Sequence, residues 1–231
     1  MAITGAALDT GTVDAVGGTT VASASVSPTA ESLVLFCIYA RNQDAAADPG
    51  NPTSVVGGGS QTYDLVNGVL FDTRKRKSVY RARQASWTAG AITATYAGNV
   101  IGVVEVVEFA GIDTGGTNGS SAIVQSVTGT TAGATSLTVA LAAFGSANNA
   151  SFGSFSHAAA EATTPGASFT ELTDITGPSG TGSETEWQLA DADASASWAT
   201  SSAAAGIGIE IKAAAAGTTT RRYSLPLTGV G

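Results

Sequence analysis

Residues 74–111, RKRKSVYRARQASWTAGAITATYAGNVIGVVEVVEFAG, constrain the fold more than any other part of this chain. They place a basic segment, an aromatic-bearing strand, a Thr-rich strand and the most apolar strand of the chain in succession. A fainter copy, ETEWQLADADASASWATSSAAAGIGIEIKAAAAG, follows roughly one hundred residues later. Ile101-Gly102-Val103 is echoed by Ile207-Gly208-Ile209, and Tyr80 by Trp187. Residues 136–141 (SLTVAL) answer residues 32–37 (SLVLFC), and residues 169–172 answer residues 62–65. A near-constant offset across separated segments predicts a structural duplication.

These segments are strands. The chain carries 29 glycines among many β-branched residues, and a Gly within a helix costs about 1 kcal/mol relative to Ala. Charged residues make up only 12% of the sequence, a share that also suits disorder. The apolar runs at residues 33–40 and 100–109 can bury enough area to offset the entropy of ordering. The prediction is therefore an all-β protein of two similar antiparallel β-sandwich, jelly-roll-like halves. Residues 1–112 form the first half, residues 113–121 (DTGGTNGSS) a Gly-rich linker and residues 122–216 the second half, with residues 217–231 an extended C-terminal arm.

Within the first half, residues 3–8 and 20–26 read as strands separated by the turn DTGTVDAVGG. Residues 32–40 (SLVLFCIYA) read as a central strand buried on both faces. Short strands follow at 53–56 and 62–66, with Asn67-Gly68 a hairpin turn. Residues 77–83, 91–97 and 100–109 complete the set, the last two separated by Gly98-Asn99.

No reaction chemistry emerges. His157 is the single His; a Ser-His-Asp arrangement needs such a base, yet no G-x-S-x-G elbow is present. One His and Cys37 cannot supply a four-ligand zinc set, and Cys37 in its apolar run reads as a buried, inert thiol. The carboxylates Glu105 and Glu108, Glu184 and Glu186, and Asp191 and Asp193 match no calcium loop and read as solvent-facing charges that blunt strand edges. The Gly tracts at 57–59, 177–182 and 206–208 lack the lysine and helix of a phosphate loop and read as turns. The sequence thus predicts no catalytic, cofactor or metal site.

Charge is distributed unevenly. Net charge is −8, which disfavours nucleic acid as a partner. Arg74, Lys75, Arg76, Lys77, Arg81, Arg83, Arg221 and Arg222 are eight of the ten basic residues. With Tyr223 they form a candidate docking surface for an acidic partner such as a neighbouring subunit; the other reading is a solvated hairpin tip that blocks edge aggregation. Trp87, Trp187 and Trp198 read either as a sugar-stacking platform or as core. Leu225-Pro226-Leu227-Thr228-Gly229 matches a sortase signal but lacks the apolar span and basic tail that such signals carry. No secretory signal or membrane-length apolar run is visible.

The start MAITGAAL, the strands SLVLFCIYA and VIGVVEVVEFAGID, and the C-terminal arm make the chain resemble the Gly/Ala/Ser/Thr-rich β-sandwich proteins of tailed-bacteriophage virions. That resemblance implies a non-enzymatic capsid decoration (cement) protein or a neck or tail component, made in the host cytoplasm and localised to the virion. It implies other virion proteins as partners, with the chain a homo-oligomer or bound to a lattice, and no membrane. It carries no site residues over. The competing expectation is a carbohydrate-binding or adhesin module with a glycan partner.

Overall fold

In the computed structural model, residues 2–178, 180–190 and 192–215 are described. The first half folds as β1 (Thr4–Ala22), β2 (Leu33–Asn42), β3 (Ser54–Val56), β4 (Asp64–Phe71), β5 (Lys75–Arg83) and β6 (Thr93–Ala110). The second folds as β7 (Ile123–Val139), β8 (Ala150–His157), β9 (Thr164–Pro165), β10 (Thr170–Gly177), β11 (Thr181–Gln188) and β12 (Ala194–Ile211). The protein is all-β, with two six-stranded antiparallel sheets. One sheet runs β1-β6-β2-β5-β4 with β3 on β6; the other runs β7-β12-β8-β11-β10 with β9 on β12. Each strand of the second sheet occupies the place of the strand six earlier in the chain, so the duplication is a duplication of topology.

The register of the copy differs from the sequence echoes. Arg81 pairs with Asp64 at the start of β4, as Trp187 pairs with Thr170 at the start of β10. The counterpart of Trp187 is therefore Arg81, one residue from Tyr80. A slip of one residue in a strand exchanges its faces, and Tyr80 and Trp187 do pack in different cores. Likewise β3 meets β6 at Val55 and Ala94, as β9 meets β12 at Pro165 and Ala196. That alignment sets Val103 level with Ala205, not with Ile209. The SLTVAL segment closes β7 and is no second β2; the counterpart of β2 is β8.

Alternating side chains place one face of each sheet against the other. Leu33, Leu35, Cys37, Val79, Val107 and Phe109 of the first sheet pack on Phe152, Ile207, Ile209 and Ile211 of the second. Full burial of such side chains contributes about 1.5–3 kcal/mol each. Phe109 meets Phe152 and Trp187 edge-on, with ring centroids 5.6 and 5.9 Å apart. On the outer side of the first sheet, Val34, Phe36, Ile38, Val104 and Val106 lie beneath Val21, Val55, Tyr63, Ile92 and Tyr96. Both faces of β2 are covered, which is why SLVLFCIYA is continuously apolar. β1 lies over β10 and β4 over β7, so the halves face each other across an approximate two-fold axis.

Several expected turns are strand interior. The Gly-rich DTGTVDAVGG continues β1 through register shifts at Asp9, Thr12 and Gly18. Gly11 there has φ +137°, and a Cβ would lie 2.3 Å from Ile175, so close packing against β10 requires glycine. Asn67-Gly68 lies inside β4, beside its bulge. Residues 93–110 form one strand through Gly98-Asn99. Gly206 is mid-strand in β12, where a Cβ would come within 2.5 Å of the Phe155 ring; glycine makes room for that ring. After β12, Lys212 returns to the first half. Its ammonium pairs with Asp113 at 2.8 Å, and the backbone N–H of Ala214 donates to the Gly111 carbonyl.

Candidate functional site

The segment KRKSVYRAR is strand β5, and its alternation decides the fate of the basic cluster. Odd-numbered residues share one face and even-numbered residues the other. Val79 lies in the inter-sheet core, and Tyr80 and Ala82 lie in the outer one. Lys77, two residues from Val79, is therefore carried into the space between the sheets, where it is fully buried.

There Lys77 meets Glu105 of β6, also fully buried, with Nζ 3.0 Å from Oε2. β2 lies between the two strands, with Tyr39 beside Lys77 and Cys37 beside Glu105. The second sheet completes the coordination. Lys77 donates to the Ser183 hydroxyl at 2.9 Å, and Ser183 donates to Glu105 Oε2 at 2.7 Å. Thr173 donates to Glu105 Oε1 at 2.8 Å, and its hydroxyl also lies 2.7 Å from that of Thr185. The Ser156 hydroxyl lies 3.0 Å from that of Ser183. Desolvating two charges is costly unless their remaining hydrogen-bonding capacity is met, and here hydroxyls of β8, β10 and β11 meet it. The Cys37 thiol beside the pair is pushed up to about 12 by burial, which leaves it protonated and unreactive.

The remaining cations of β5 are also paired. Lys75 meets Asp72 at 3.4 Å, Arg81 meets Asp64 at 3.7 Å, and Arg83 pairs with Glu31. Arg76 grips Asp48 through two guanidinium nitrogens and holds that carboxyl below its usual range. Arg74 stands in the tight connection between β4 and β5, its carbonyl accepting from the Asn42 N–H. The expected docking surface thus loses Lys77 to the core, and four of its neighbours are engaged by carboxylates of the same chain. Arg221, Arg222 and Tyr223 lie outside the described residues.

The carboxylates read as solvent-facing are placed differently. Glu105, Glu184 and Glu186 are fully buried, because the strands that carry them are covered on both faces. Glu108 accepts from the Thr29 backbone, the Thr29 hydroxyl and the Ser32 hydroxyl, closing the turn before β2. Glu186 accepts from the backbone N–H groups of Gly166 and Ser195, tying down β9 and the start of β12. Glu184 has no hydrogen-bond partner on either oxygen, and burial raises it well above the usual carboxyl range. Asp193 accepts from the Leu141 N–H, and Asp191 lies outside the described residues.

His157 stacks on Trp198 with centroids 4.7 Å apart and lies 3.1 Å from the Thr163 hydroxyl. Burial lowers it to about 4, so the ring is neutral. Trp187 is half-buried in the inter-sheet core, and Trp87 packs against Tyr63. The three Trp side chains therefore serve packing, and they do not assemble into a common platform. A cleft of about 600 Å³ opens where the halves join, lined by Asp113, Val124, Asn149, Glu210 and Lys212. Its carboxylates are engaged, Glu210 by Asn149 and Gln125 and Asp113 by Lys212. Among the described residues, no group of three or more His, Cys, Asp or Glu is placed to hold a metal ion, and no helix is long and apolar enough to cross a membrane.

Sequence reasoning missed the Lys77–Glu105 network, although one signal was present. Glu105 interrupts VIGVVEVVEF, a run apolar enough for burial on both faces, and a charge there demands a buried partner. The hydroxyl partners carry no such mark, since Ser and Thr are common throughout the chain. Compared with family models, curated proteins and solved structures, the chain matches none.

Proposed function

We propose that this chain is a non-enzymatic structural protein of a bacteriophage particle, a capsid decoration protein that docks to neighbouring subunits through its C-terminal arm. The observation that carries this reading is the closed state of the Lys77–Glu105 network and of the β5 cations. The buried ion pair, its hydroxyls and the cations of β5 are engaged within the chain, where they brace one sheet against the other. Such an arrangement suits a stiff building block better than a substrate site, which presents convergent polar groups to a pocket. The Gly/Ala/Ser/Thr-rich strands that resemble virion β-sandwiches support the same assignment. With four β5 cations already paired, the docking role shifts toward the arm, whose Arg221 and Arg222 are suited to bidentate carboxylate contacts, and whose main chain can add hydrogen bonds to a neighbour.

Particles purified from a lysate of the host that encodes the gene provide the test. Mass spectrometry should find the protein in amounts near those of the major capsid protein. Deleting residues 221–231 should remove it from particles while the purified chain keeps its β-sheet circular dichroism. Absence of the intact protein from particles, or undiminished incorporation of the truncated one, would refute the assignment.

A further inference from the structure

The two sheets have four edges, formed by β1, β4, β7 and β10. An edge strand presents unpaired backbone groups, and proteins ordinarily guard it with charges, proline, bulges or short length. Three of these edges are guarded. β1 carries Asp9 and Asp14 and is broken by repeated register shifts. β4 opens at Asp64 and is bulged after Leu65; β10 carries Glu171 and Asp174 and has its own shift. Both are only 8 residues long.

β7 carries no charge or proline, and the register shifts of its ladder with β12 fall outside Gln125–Thr131. It runs 17 residues, IVQSVTGTTAGATSLTV, without Asp, Glu, Lys, Arg or Pro. From Gln125 to Thr131 its register with β12 is uninterrupted. Among the described residues, no strand pairs with its other edge. Thr128 and Thr130 at that edge are exposed.

We propose that β7 is a self-association edge, pairing antiparallel with β7 of a second copy of this chain. Charge identifies the partner. In a chain of net charge −8, antiparallel self-pairing of β1 or β10 would bring carboxylates together, whereas β4 is short and bulged. Along β7 itself such pairing brings together only neutral side chains. A two-fold axis at Thr128 sets that residue against Thr128 of the second copy and Ser126 against Thr130 of the second copy. Threonine pairs of this kind support sheet association, and the isologous contact closes a dimer without leading to a filament. The second sheet would then continue across two copies. This deepens the structural reading by assigning a surface and a partner, and it rests on the edge and not on the arm.

The test uses the full chain and its Thr128→Lys and Thr128→Glu variants in sedimentation velocity over a hundredfold range of concentration. The wild type should be dimeric. Each variant should be monomeric at the same concentrations, because like charges would meet at the axis, with an unchanged circular dichroism spectrum. An equimolar mixture of the two variants should regain the dimer by pairing lysine with glutamate. Amide exchange of residues 125–131 in the wild type should slow as concentration rises, a readout that needs no variant. A wild-type monomer throughout, or a dimer that Thr128→Lys leaves intact, would overturn the proposal. Deleting residues 221–231 should leave the dimer in place; its loss on that deletion, with Thr128→Lys harmless, would make the arm the occupant and would likewise overturn the proposal.

Discussion

At the scale of single residues, Lys77 and Glu105 carry the largest energetic stake. Replacing Lys77 with Met keeps most of the buried volume but leaves the Glu105 carboxylate without its ammonium. Removing one partner of a buried pair costs about 3–5 kcal/mol, whereas replacing both with apolar groups is often neutral or better. Lys77→Met should therefore destabilise strongly, and Lys77→Met combined with Glu105→Leu should recover most of the loss, as measured by urea unfolding of both variants. Recovery will fall short by the cost of leaving Ser183 and Thr173 with fewer acceptors. A double variant no more stable than the single one would show that Glu105 holds the sheets together independently of Lys77. The sequence could not present this pair as one unit. Its members lie on strands separated by β2, and their hydroxyl ligands come from the other half of the chain. KRKSVYRAR looks like a surface patch until the face that Val79 occupies is known.

At the scale of elements, β9 and the start of β12 form a cover over the outer face of the second sheet, and the groups beneath it make stability depend on pH. Glu186 is raised to about 7, burial outweighing the backbone N–H groups that it accepts from. Glu184 is also raised well above the usual carboxyl range, by burial first and then by Glu186, Glu105 and Glu171, with Lys77 opposing. Asp174, opposite Glu184 on β10, is also raised by burial, and its carboxyl accepts from the Thr163 N–H. His157 moves the other way, from 6.5 to about 4. Between those two values the unfolded chain binds a proton that folded His157 refuses, so this group adds stability as pH rises. Between 4.5 and about 7 the folded Glu186 keeps a proton that the unfolded chain releases, so this group removes stability as pH rises. The two oppose each other over their shared window. Above pH 6.5 only the carboxyl effect remains, and Tm should fall as pH rises through neutrality. Glu184→Gln, neutral at every pH, should flatten that decline in a thermal melt series; parallel curves for wild type and variant would assign the decline to other groups. Element type was legible here, since alternation and glycine content mark strands without ambiguity. Strand limits were less so, because a bulge or a large neighbouring ring uses the same glycine as a turn does. Gly11 makes room for Ile175 and Gly206 for Phe155, and neither partner is close in sequence.

At the scale of the whole molecule, the two halves share one core. Each half is a sheet with an outer cover of its own, but Leu33, Leu35, Val107 and Phe109 on one side require Phe152, Ile207, Ile209 and Ile211 on the other. The Lys77 site requires both as well, since its cation and carboxylate come from one half and its hydroxyls from the other. The repeat was visible in the sequence as a spacing, whereas the facing arrangement was not, because inward and outward apolar residues of a sheet covered on both faces look alike. The arrangement predicts the behaviour of a chain cut in the connection at Gly115-Gly116. Residues 1–115 alone should lack a cooperative melt and expose apolar surface to dye, and residues 116–231 alone should do the same. Mixed, they should regain a single cooperative transition, because the lost covalent link costs only the entropy of bringing two pieces together, while the interface restores the burial of both inner faces and the ligands of the buried pair. Adding Lys77→Met to the first fragment should weaken that reconstitution by about the factor by which it weakens the intact chain against urea, since the same seam is lost in both. Two fragments that each melt cooperatively and ignore one another would show instead that the duplicated sheets are independent domains resting side by side.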